Sequence, residues 1–572
     1  MKIMFYAPHS GIKQHSLPES YLARQLGDNS FDISYVTCGR VFSKYCVCMS
    51  AVGVSVKSTV IEKNKICDQC CACADILVNN INCTNYSQDE YLVEEDYLNI
   101  EKLLDGVNQE NFLDFCYDNV FVGKIALYEV LLKYKKMSLI FNEEEWEFYL
   151  IYLKNCMLSL LSFIRIYNID NPDVLILYSP QYAVNGVCAE YMINHDKQVY
   201  FTEGSSSNSE RYEALRIWDW KIFGLTNPAL KYWESKNKNI TLESLKRVKG
   251  HLEELLVAQS YAVYSSAYTG QFDCRKYFNI PPGKKVILAA LSSYDEAYAA
   301  WAIDKFPDAK VNSSVYEDQF AWIKRTVEIL KDRSDVFLIV RMHPRDFPNK
   351  RESVESEQAK VWLKMLEDLP SNMAINVPQD NISIYDLLQG IDLLVTGWSA
   401  TGVEALAHGI PVVTYDNKMP SYPETIHFTG TSENDYKKNI DKALDYGQNI
   451  DYAINAYKWL AFNFSLGVIR TPKFITMTPF DNAFKKTIYR LMNKFFPAAT
   501  FKYDMRKSEV FSEELSSLVT MIRNGEDSLY SQMENISVAN DDVDCFIKNE
   551  MFPLLNNNLK SKELNSQEIP DV

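Results

Sequence analysis

The sequence has no excess of positive charge and no long apolar run. It contains 59 Lys and Arg residues against 75 Asp and Glu residues, which gives a formal net charge of −16. An acidic balance of this kind argues against nucleic acid as a partner and against binding of the whole surface to anionic lipid. No apolar run reaches the roughly 18 residues that a membrane-spanning helix needs, so none is predicted.

The first residues also lack the features of a secretory signal peptide. Met1–Gly11 is a short, strand-like segment without a long apolar region or a small-residue cleavage site, so we expect a cytoplasmic protein. Hydrophobic residues make up 47% of the chain and the mean hydropathy is −0.22, which indicates a soluble protein with substantial cores. A chain of 572 residues is too long for one core and predicts two or three domains.

The most informative stretch is Ile391–Asp416, which predicts a strand, a small-residue turn, a short helix and a second strand. The turn offers free backbone N–H groups and the positive end of a helix dipole, both of which favour phosphate. An acid in the first helical turn can hold ribose hydroxyls. The alternative is a purely structural corner of a parallel α/β sheet. The candidate contacts here are Ser399, Thr401, Gly402 and Glu404.

A second pattern places a histidine at the end of a buried strand. Val336–Met342 predicts that strand, and the proline that follows His343 prevents the ladder from continuing. Open α/β sheets bind ligands at the carboxyl ends of their strands, so the histidine is a candidate contact, although a histidine beside proline is often structural. The candidates from this segment are Arg341, His343, Pro344 and Arg345.

Two further segments supply hydroxyl groups at positions expected on the same sheet edge. Ser292 and Ser293 terminate a predicted strand over Lys285–Leu291, and Ser383 begins a predicted helix. Their hydroxyls are candidate phosphate or nucleotide contacts. Together with the histidine and the hydroxyl-rich turn, they predict one nucleotide site along this edge.

Four runs in this region, in order, resemble the donor half of GT-B glycosyltransferases. The runs are KKVILAALSSYDE, VRMHPRD, PQDNISIYDLL and TGWSATGVEALAHGIPVV, and the resemblance covers about residues 280–420. It is weaker over 1–270 and absent after about 480. The chain is most similar to bacterial capsule and surface-polysaccharide transferases, including the Kdo-transferase-like group.

The resemblance implies an α/β, GT-B-type fold with two Rossmann-like domains facing a cleft. In the Kdo-transferase-like group a His-Pro pair and a hydroxyl-rich turn hold the donor nucleotide. The implied partners are a CMP- or UDP-linked sugar donor, with CMP favoured, and an oligosaccharide or lipid-linked glycan acceptor. The region of the resemblance, about residues 280–420, has no compact DxD motif, so no metal cofactor is expected for catalysis.

The first half is expected to supply the base of an inverting transfer. The candidates are Glu203, His15 and His9, in that order. The two histidines follow the first predicted strand, and Glu203 begins a hydroxyl-rich loop after a predicted strand over Val199–Thr202. The alternatives are polar loop histidines and a solvated carboxylate. Directly after His15, the capping-box spacing of Ser16 and Glu19 predicts the start of a helix.

Eight of the 13 cysteines fall between residues 38 and 83. In a cytosolic protein such a cluster suggests a metal before disulfides. Four thiolates can hold a structural zinc ion, and the candidate ligands are Cys38, Cys48, Cys67 and Cys70. No separate second CxxC pair exists, so free thiols, a redox site and an iron–sulfur cluster stay as alternatives.

The predicted domain organisation follows from these patterns. An N-terminal acceptor-side domain spans 1–275, with a Cys-rich insertion over 38–83 and a helical insertion over 88–170. A nucleotide-sugar-binding domain spans 276–480, followed by a helical extension over 481–555 and a disordered tail over 556–572. Phe484–Phe496 is basic and amphipathic, which predicts either peripheral contact with the inner face of the membrane or a packed helix.

Three functions agree with the sequence. The first is a glycosyltransferase that moves a sugar from a nucleotide-sugar donor to a growing capsule or lipopolysaccharide. The second is a sugar-nucleotide epimerase of the same architecture, which would need no acceptor. The third is a non-catalytic, metal-binding scaffold in a polysaccharide assembly complex.

Overall fold

The structure is a computed structural model. It describes the chain except for residues 208–209, 211–213, 222–228, 234–239, 259–263, 305–312, 350–352, 466, 472–511, 530–539 and 556–572. The predicted amphipathic segment Phe484–Phe496 and the predicted tail over 556–572 lie outside the described residues. The described residues form two β-sheets with helices around them.

The first sheet has seven strands. Five are parallel, in the order β3-β2-β1-β4-β5, and β6 and β12 extend the β5 edge in antiparallel pairings. The strands are β1 (Lys2–Tyr6), β2 (Asp32–Thr37), β3 (Thr84–Ser87), β4 (Val174–Tyr178), β5 (Gln198–Gly204), β6 (Ala214–Asp219) and β12 (Val468–Arg470).

The second sheet has five strands, all parallel, in the order β9-β8-β7-β10-β11. The strands are β7 (Lys285–Ala290), β8 (Val336–Arg341), β9 (Met373–Asn376), β10 (Leu393–Thr396) and β11 (Val412–Thr414). The five parallel strands of each sheet share one order, in which the first strand lies at the centre and the chain reverses direction beside it. This confirms the predicted α/β class and places a ligand-binding switch point in each half.

Helices cover both sheets. Those of the first half are α1 (Lys13–Asp28), α2 (Val47–Ala51), α3 (Val60–Val78), α4 (Glu94–Leu104), α5 (Val122–Ile125), α6 (Leu127–Tyr134), α7 (Glu143–Asp170), α8 (Ala183–Asn194), α9 (Leu230–Trp233) and α10 (Leu242–Leu256). Between residues 88 and 170 the chain is mostly helical.

The later helices surround the second sheet or return to the first. They are α11 (Cys274–Tyr277), α12 (Asp295–Ala302), α13 (Gln319–Leu330), α14 (Glu357–Met365), α15 (Ile384–Leu388), α16 (Thr401–Ala407), α17 (Glu433–Tyr446), α18 (Ile450–Ser465), α19 (Ser512–Asn524), α20 (Asn540–Phe546) and α21 (Phe552–Leu555).

Helix α1 begins earlier than the capping-box spacing predicts. Its first residue is Lys13, and the residue before it, Ile12, provides no side-chain cap. Ser16 and Glu19 therefore lie inside the helix and do not cap it. Glu19 instead turns toward the sheet, where its carboxyl accepts a hydrogen bond from the Thr202 hydroxyl at 2.9 Å. A partner on a distant strand thus replaces the local capping partner.

Helix α7 is the central helix of the first half. Its start is fixed by a capping box between Asn142 and Glu145, and it ends at Asn171 in the left-handed conformation. Within the described residues it is the one helix long and apolar enough to cross a membrane, but 67% of its apolar window is buried inside the protein. Its aromatic and aliphatic side chains pack beneath the sheet, as in a core helix of a soluble domain.

The two halves do not follow the predicted boundaries in every segment. The end of α12, which follows β7, packs into the core of the first half through Ala299, Ala302 and Ile303. After α18 the chain returns as β12 to the first sheet, and α19 packs on that sheet through Leu518 and Met521. The apolar side chains of each segment are buried against whichever half they contact in the folded chain. The position of a segment in the sequence does not specify that half.

Polar contacts also join the halves around α6 and the loop after β8. The Lys135 ammonium donates to the carbonyl oxygens of Phe347 and Val354 at 3.3 and 2.6 Å. The Lys136 ammonium forms an ion pair with Glu357 at 2.8 Å. Lysines of the first half therefore satisfy acceptors of the second half and hold the two sheets in a defined arrangement.

Candidate functional site

A cleft of about 320 Å³ opens at the carboxyl edge of the second sheet, where the chain reverses between β7 and β10. Its size falls within the usual range for small-molecule sites. The structure brings most of the predicted nucleotide contacts together in its wall. Those that line it are Ser292, Ser293, Arg341, His343, Pro344, Ser399, Thr401 and Glu404.

Three predicted contacts do not line the cleft. The Arg345 guanidinium forms a buried ion pair with Asp295 at 2.9 Å. The Ser383 hydroxyl accepts the N–H of Tyr385 at 3.3 Å and so caps α15. Gly402 faces Tyr422, whose hydroxyl lies 2.0 Å from the position that a Cβ on Gly402 would take. Each was predicted from its position near a strand end, but its partners lie inside the protein.

Several lining residues were missed. They are Leu255, Tyr264, Ser265, Glu296, Tyr385 and Trp398, together with neighbouring backbone positions. Tyr264 and Ser265 follow α10 and do not lie at a strand end, so no sequence pattern marked them. Trp398 lies inside the hydroxyl-rich turn, and an aromatic residue at that position was the signal that could have identified it.

His343 lies half-buried at the end of β8 and lines the cleft. Its Nδ1 accepts the backbone N–H of Arg345 at 3.2 Å. Burial, reinforced by the positive charges of Arg345 and Arg341, lowers the pKa of His343 to about 4. The neutral ring therefore carries its proton on Nε2, which makes it a hydrogen-bond donor in this wall.

Arg341 supplies the positive charge of the cleft. One guanidinium nitrogen donates to the Asn376 side chain and another donates to the Ile382 carbonyl oxygen at 3.1 Å. Burial lowers its pKa to about 10, so it stays charged at neutral pH. Within the described part of the chain no carboxylate forms an ion pair with it, and its charge is available to an anionic ligand.

Ser292 and Ser293 differ in what their hydroxyls can do. The Ser293 hydroxyl is bound to Asp295. The Ser292 backbone is bound on both sides by the Gln319 amide, at 2.8 and 3.0 Å. The buried Ser292 hydroxyl has no hydrogen-bond partner among the described residues. A buried hydroxyl without a partner is costly unless a ligand satisfies it.

The hydroxyl-rich turn does not offer the free amides that its sequence predicts. The Ser399 N–H donates to the Thr396 hydroxyl, and the Thr401 N–H donates to the Ser399 hydroxyl. The Gly402 N–H donates to the Ser399 carbonyl oxygen at 3.0 Å. The following helix, α16, has only seven residues. The turn therefore contributes side-chain hydroxyls and the Trp398 ring, while the amides of Ser399, Thr401 and Gly402 are engaged within it.

Glu404 lies half-buried at the opposite wall, one turn into α16. Its carboxyl accepts the Tyr385 hydroxyl at 2.9 Å. Burial raises its pKa above the ordinary value. A carboxyl group in this position can both accept and donate hydrogen bonds to sugar hydroxyls.

The first sheet carries a much smaller cavity at its own switch point, between β1 and β4. It is lined by His9, His15, Glu19, Tyr178 and Asn185, among others. The His15 ring stacks on Tyr178 at 3.7 Å, and the His9 ring meets the edge of Tyr182 at 5.8 Å. The two predicted histidines are therefore close together, and Glu19 is a titratable neighbour that the sequence did not reveal.

His9 and Glu19 are both held neutral by their surroundings. Burial lowers the pKa of His9 to about 4 and raises the pKa of Glu19 to about 8. Both ring nitrogens of His9 are without a partner among the described residues. At neutral pH the imidazole is therefore uncharged, and its nitrogen lone pair can accept a hydrogen bond from a group that enters this cavity.

The sequence predicted that Glu203 begins a loop, but in the structure it lies within a strand. Strand β5 continues to Gly204, so Glu203 pairs with Arg216 across the β5–β6 ladder. Its carboxyl accepts the indole N–H of Trp218 at 2.9 Å. The antiparallel partner β6 extends the strand past the point where the local hydrophobic pattern ends, and the side chain is engaged in the sheet.

Tyr128 on α6 connects the two switch points. Burial and then the negative charge of Glu296 raise the pKa of Tyr128 well above its ordinary value, and Tyr182 adds to the shift. Glu296 lines the cleft, and Tyr182 contacts His9. A residue that lines the cleft of the second half and a residue beside His9 thus both act electrostatically on one tyrosine.

The four predicted zinc ligands lie within one cluster of free cysteines. Cys48 and Cys70 approach to 3.9 Å between their sulfur atoms. Among the described residues, no group of three or more His, Cys, Asp or Glu side chains is placed to hold a metal ion. Structural zinc at Cys38, Cys48, Cys67 and Cys70 stays a prediction that metal analysis of the purified chain tests.

Glu129, which lies beside the first switch point, leads to a prediction about stability. It accepts the Ala183 N–H at 2.9 Å, and burial raises its pKa to about 8. Because the pKa of Glu129 is higher in the folded chain than in the unfolded chain, its protonated form stabilises the fold. This contribution is complete below about pH 4.5 and is lost as the pH rises through about 8. Glu129→Gln keeps the acceptor oxygen and removes the ionisation. We expect the variant to gain roughly 2–4 kcal/mol relative to wild type between pH 5 and 8.

Thermal unfolding at pH 5 and pH 8 measures this difference. Glu144→Gln, an exposed change in the first turn of α7, serves as the matched control. An equal pH dependence in wild type and Glu129→Gln would contradict the assignment.

No protein-family model matches the chain, and no curated protein matches it. Similar solved structures include the KpsC β-Kdo 2,4-transferase of Thermosulfurimonas dismutans. It is 13% identical, with 51% of this chain and 80% of that chain covered and a TM-score of 0.31. The UDP-GlcNAc 2-epimerase of Methanocaldococcus jannaschii, in complex with UDP-GlcNAc and UDP, is 14% identical, with 78% and 92% covered and a TM-score of 0.26.

The calicheamicin glycosyltransferase CalG4 is 11% identical, with 81% and 94% covered and a TM-score of 0.24. At such identities and TM-scores these likenesses carry no argument about what the chain binds or does. The functional argument therefore depends on the chain's own cleft.

Proposed function

We propose that the chain is a glycosyltransferase that moves a sugar from a nucleotide-sugar donor in the second-half cleft to a surface-polysaccharide acceptor. The observation that carries the proposal is the wall of the cleft at the switch point. There the neutral ring of His343, the charge of Arg341 and a Ser292 hydroxyl without a partner among the described residues line one cleft. This combination suits a phosphate-bearing ligand.

The donor's leaving phosphate is stabilised by side chains. His343 Nε2–H and the Ser292 hydroxyl donate to phosphate oxygens, and the Arg341 charge offsets the negative charge that develops as the glycosidic bond breaks. The rings of Tyr264 and Trp398 provide apolar surface for the base or sugar. Glu404 is placed to bind ribose hydroxyls. No metal ion is needed for this arrangement of donors.

The acceptor hydroxyl is deprotonated from the first half. Of the three predicted candidates, His9 fits best, since it is neutral and its ring nitrogens are without partners among the described residues. The imidazole accepts the proton as the hydroxyl attacks the anomeric carbon in an inverting transfer. Glu203 is engaged by Trp218 and is the weakest candidate.

The finer features of the proposal follow the sequence resemblance. They are a CMP-linked donor with UDP as the alternative, an oligosaccharide or lipid-linked glycan acceptor of capsule or lipopolysaccharide, and a cytoplasmic location at the inner face of the membrane. The acidic net charge requires that any membrane contact be local.

The decisive experiment combines binding with product analysis. The purified chain is titrated calorimetrically with CMP and UDP and then incubated with CMP- and UDP-sugars, with and without capsule oligosaccharides. Acceptor-dependent nucleotide release supports the transferase. Nucleotide release without acceptor, together with an epimerised sugar, would identify a sugar-nucleotide epimerase. Failure to bind any nucleotide would favour the function as a non-catalytic scaffold.

Ser292→Ala tests the wall of the cleft without disturbing the fold. Because the hydroxyl has no partner among the described residues, its removal should leave thermal stability unchanged. Losing one hydrogen bond to the ligand should lower nucleotide affinity roughly 3- to 10-fold.

The matched control is Ser356→Ala, since the Ser356 hydroxyl accepts the Ala359 N–H and caps α14. That variant should lose about 1 kcal/mol of stability and keep its nucleotide affinity. The opposite pattern in the two variants would place Ser292 outside the ligand site.

A further inference from the structure

Six cysteine side chains line one small cavity beside the loop that follows β1. They come from α2, from α3 and from the turn after β2, and Pro8 of the loop closes one side. The six are Cys38, Cys46, Cys48, Cys67, Cys70 and Cys71, and all are free thiols. Neither the nucleotide cleft nor the proposed base uses them.

One pair in this cavity is placed to react. The sulfur atoms of Cys48 on α2 and Cys70 on α3 lie 3.9 Å apart. A disulfide needs about 2.05 Å, so the two side chains must approach by about 2 Å in total. Helix α2 has only five residues and no side-chain cap, so its displacement costs little. Cys48 is buried and Cys70 is partly exposed, so an oxidant reaches Cys70 first.

The same pair holds the loop that carries His9. The Gly11 N–H donates to the Cys70 sulfur at 3.2 Å. A Cβ on Gly11 would lie 3.3 Å from Cys70 Cβ and 3.5 Å from the Cys48 sulfur, so the loop packs closely against both cysteines. A change in the position of the Cys70 sulfur is therefore transmitted to a loop residue two positions from His9.

We propose that Cys48 and Cys70 form a reversible regulatory disulfide, with a small-molecule disulfide as the oxidant. The Cys70 thiolate attacks one sulfur of the oxidant, whose S–S bond breaks and releases one small thiolate. Cys48 then loses its proton and attacks the Cys70 sulfur of the mixed disulfide, which releases the second small thiolate. Two protein thiols are oxidised, one small disulfide is reduced, and the two protons pass to the released thiolates.

The bond draws the Cys70 sulfur toward Cys48 and weakens its hydrogen bond with the Gly11 N–H. The loop loses its anchor on α3, and His9 moves relative to the cleft. This consequence depends on the proposed function. Displacement of a catalytic group by about 1 Å lowers rates up to 100-fold, so we expect oxidation to slow transfer between about 10- and 100-fold. Nucleotide affinity should not change, because the second-half cleft is not involved.

Peptide mapping of the full chain after incubation with oxidised glutathione tests the bond itself. We expect a peptide that links Cys48 to Cys70, reversed by dithiothreitol and absent in Cys48→Ser and in Cys70→Ser. The exposed Cys116→Ser and Cys545→Ser variants should form it as wild type does. Thermal unfolding under reducing conditions verifies that each serine variant is folded.

Three results would overturn the proposal. The first is mixed disulfides on Cys116 and Cys545 without a link between Cys48 and Cys70. The second is about one zinc ion per chain released when the cavity thiols are titrated, since the pair would then be ligands. The third is a complete link with unchanged transfer, which would remove the regulatory effect. Absence of transfer in the reduced chain, with the link still formed, would instead refute the proposed function.

Discussion

Replacing His343 by alanine should lower nucleotide release about 100- to 1,000-fold, the usual effect of removing one preorganised donor to a developing negative charge. The ring is neutral because burial lowers its pKa to about 4, and the Arg345 N–H fixes the proton on Nε2. The variant therefore loses a donor whose direction is set before the ligand arrives. Single-turnover nucleotide release from CMP- and UDP-sugars, with and without acceptor, measures the loss.

Two further variants distinguish the loss of the His343 donor from a loss of folding. His343→Gln keeps an N–H donor near the position of Nε2 and should recover at least about tenfold of the activity. His195→Ala removes an exposed histidine just after α8 that lines neither the cleft nor the cavity at the first switch point, and should behave as wild type. Release that is unaffected in His343→Ala would refute the assignment of the cleft.

Replacing His9 by alanine should lower acceptor-dependent transfer about 100- to 10,000-fold and leave nucleotide affinity unchanged. His9 is neutral above about pH 4, so wild-type transfer should vary little between pH 6 and 8 as far as this group is concerned. The two readouts separate catalysis from donor binding. Calorimetric titration with the nucleotide and initial transfer rates measure them.

Two neighbouring variants show whether His9 is the base. His15→Ala should have a smaller effect, because the His15 ring is stacked on Tyr178 and serves to pack the loop. Glu203→Gln should retain most of the activity, because Trp218 already engages this carboxyl within the sheet. A large loss in His15→Ala with a small loss in His9→Ala would assign the base to His15.

The strands that build the cleft were predictable from the sequence. Each is a short apolar run bounded by turn residues, and the strands Lys285–Ala290 and Val336–Arg341 end one residue before the predicted Lys285–Leu291 and Val336–Met342. The turn after β10 and the histidine after β8 were predictable for the same reason, since both follow directly on a strand. Position at the carboxyl end of a strand is a local property, and most residues predicted from it line the cleft.

What these side chains do there was not predictable. Arg345 was expected to face the ligand, but Asp295, 50 positions away along the chain, binds it. Asp386, on the short helix that Ser383 begins, is buried and accepts the N–H groups of Thr269 and Gly270. In both cases a partner distant in sequence determines which groups stay available.

The sequence by itself determined the α/β class, the places where strands end, and the residue types gathered at the second switch point. Only the tertiary structure decided which amides of the hydroxyl-rich turn are engaged, that Glu203 lies within a strand, and that the Ser292 hydroxyl lacks a partner among the described residues. The physical reason is range. Hydrophobic periodicity and turn chemistry act over a few residues, whereas burial and hydrogen-bond partners come from segments that meet only in the folded chain.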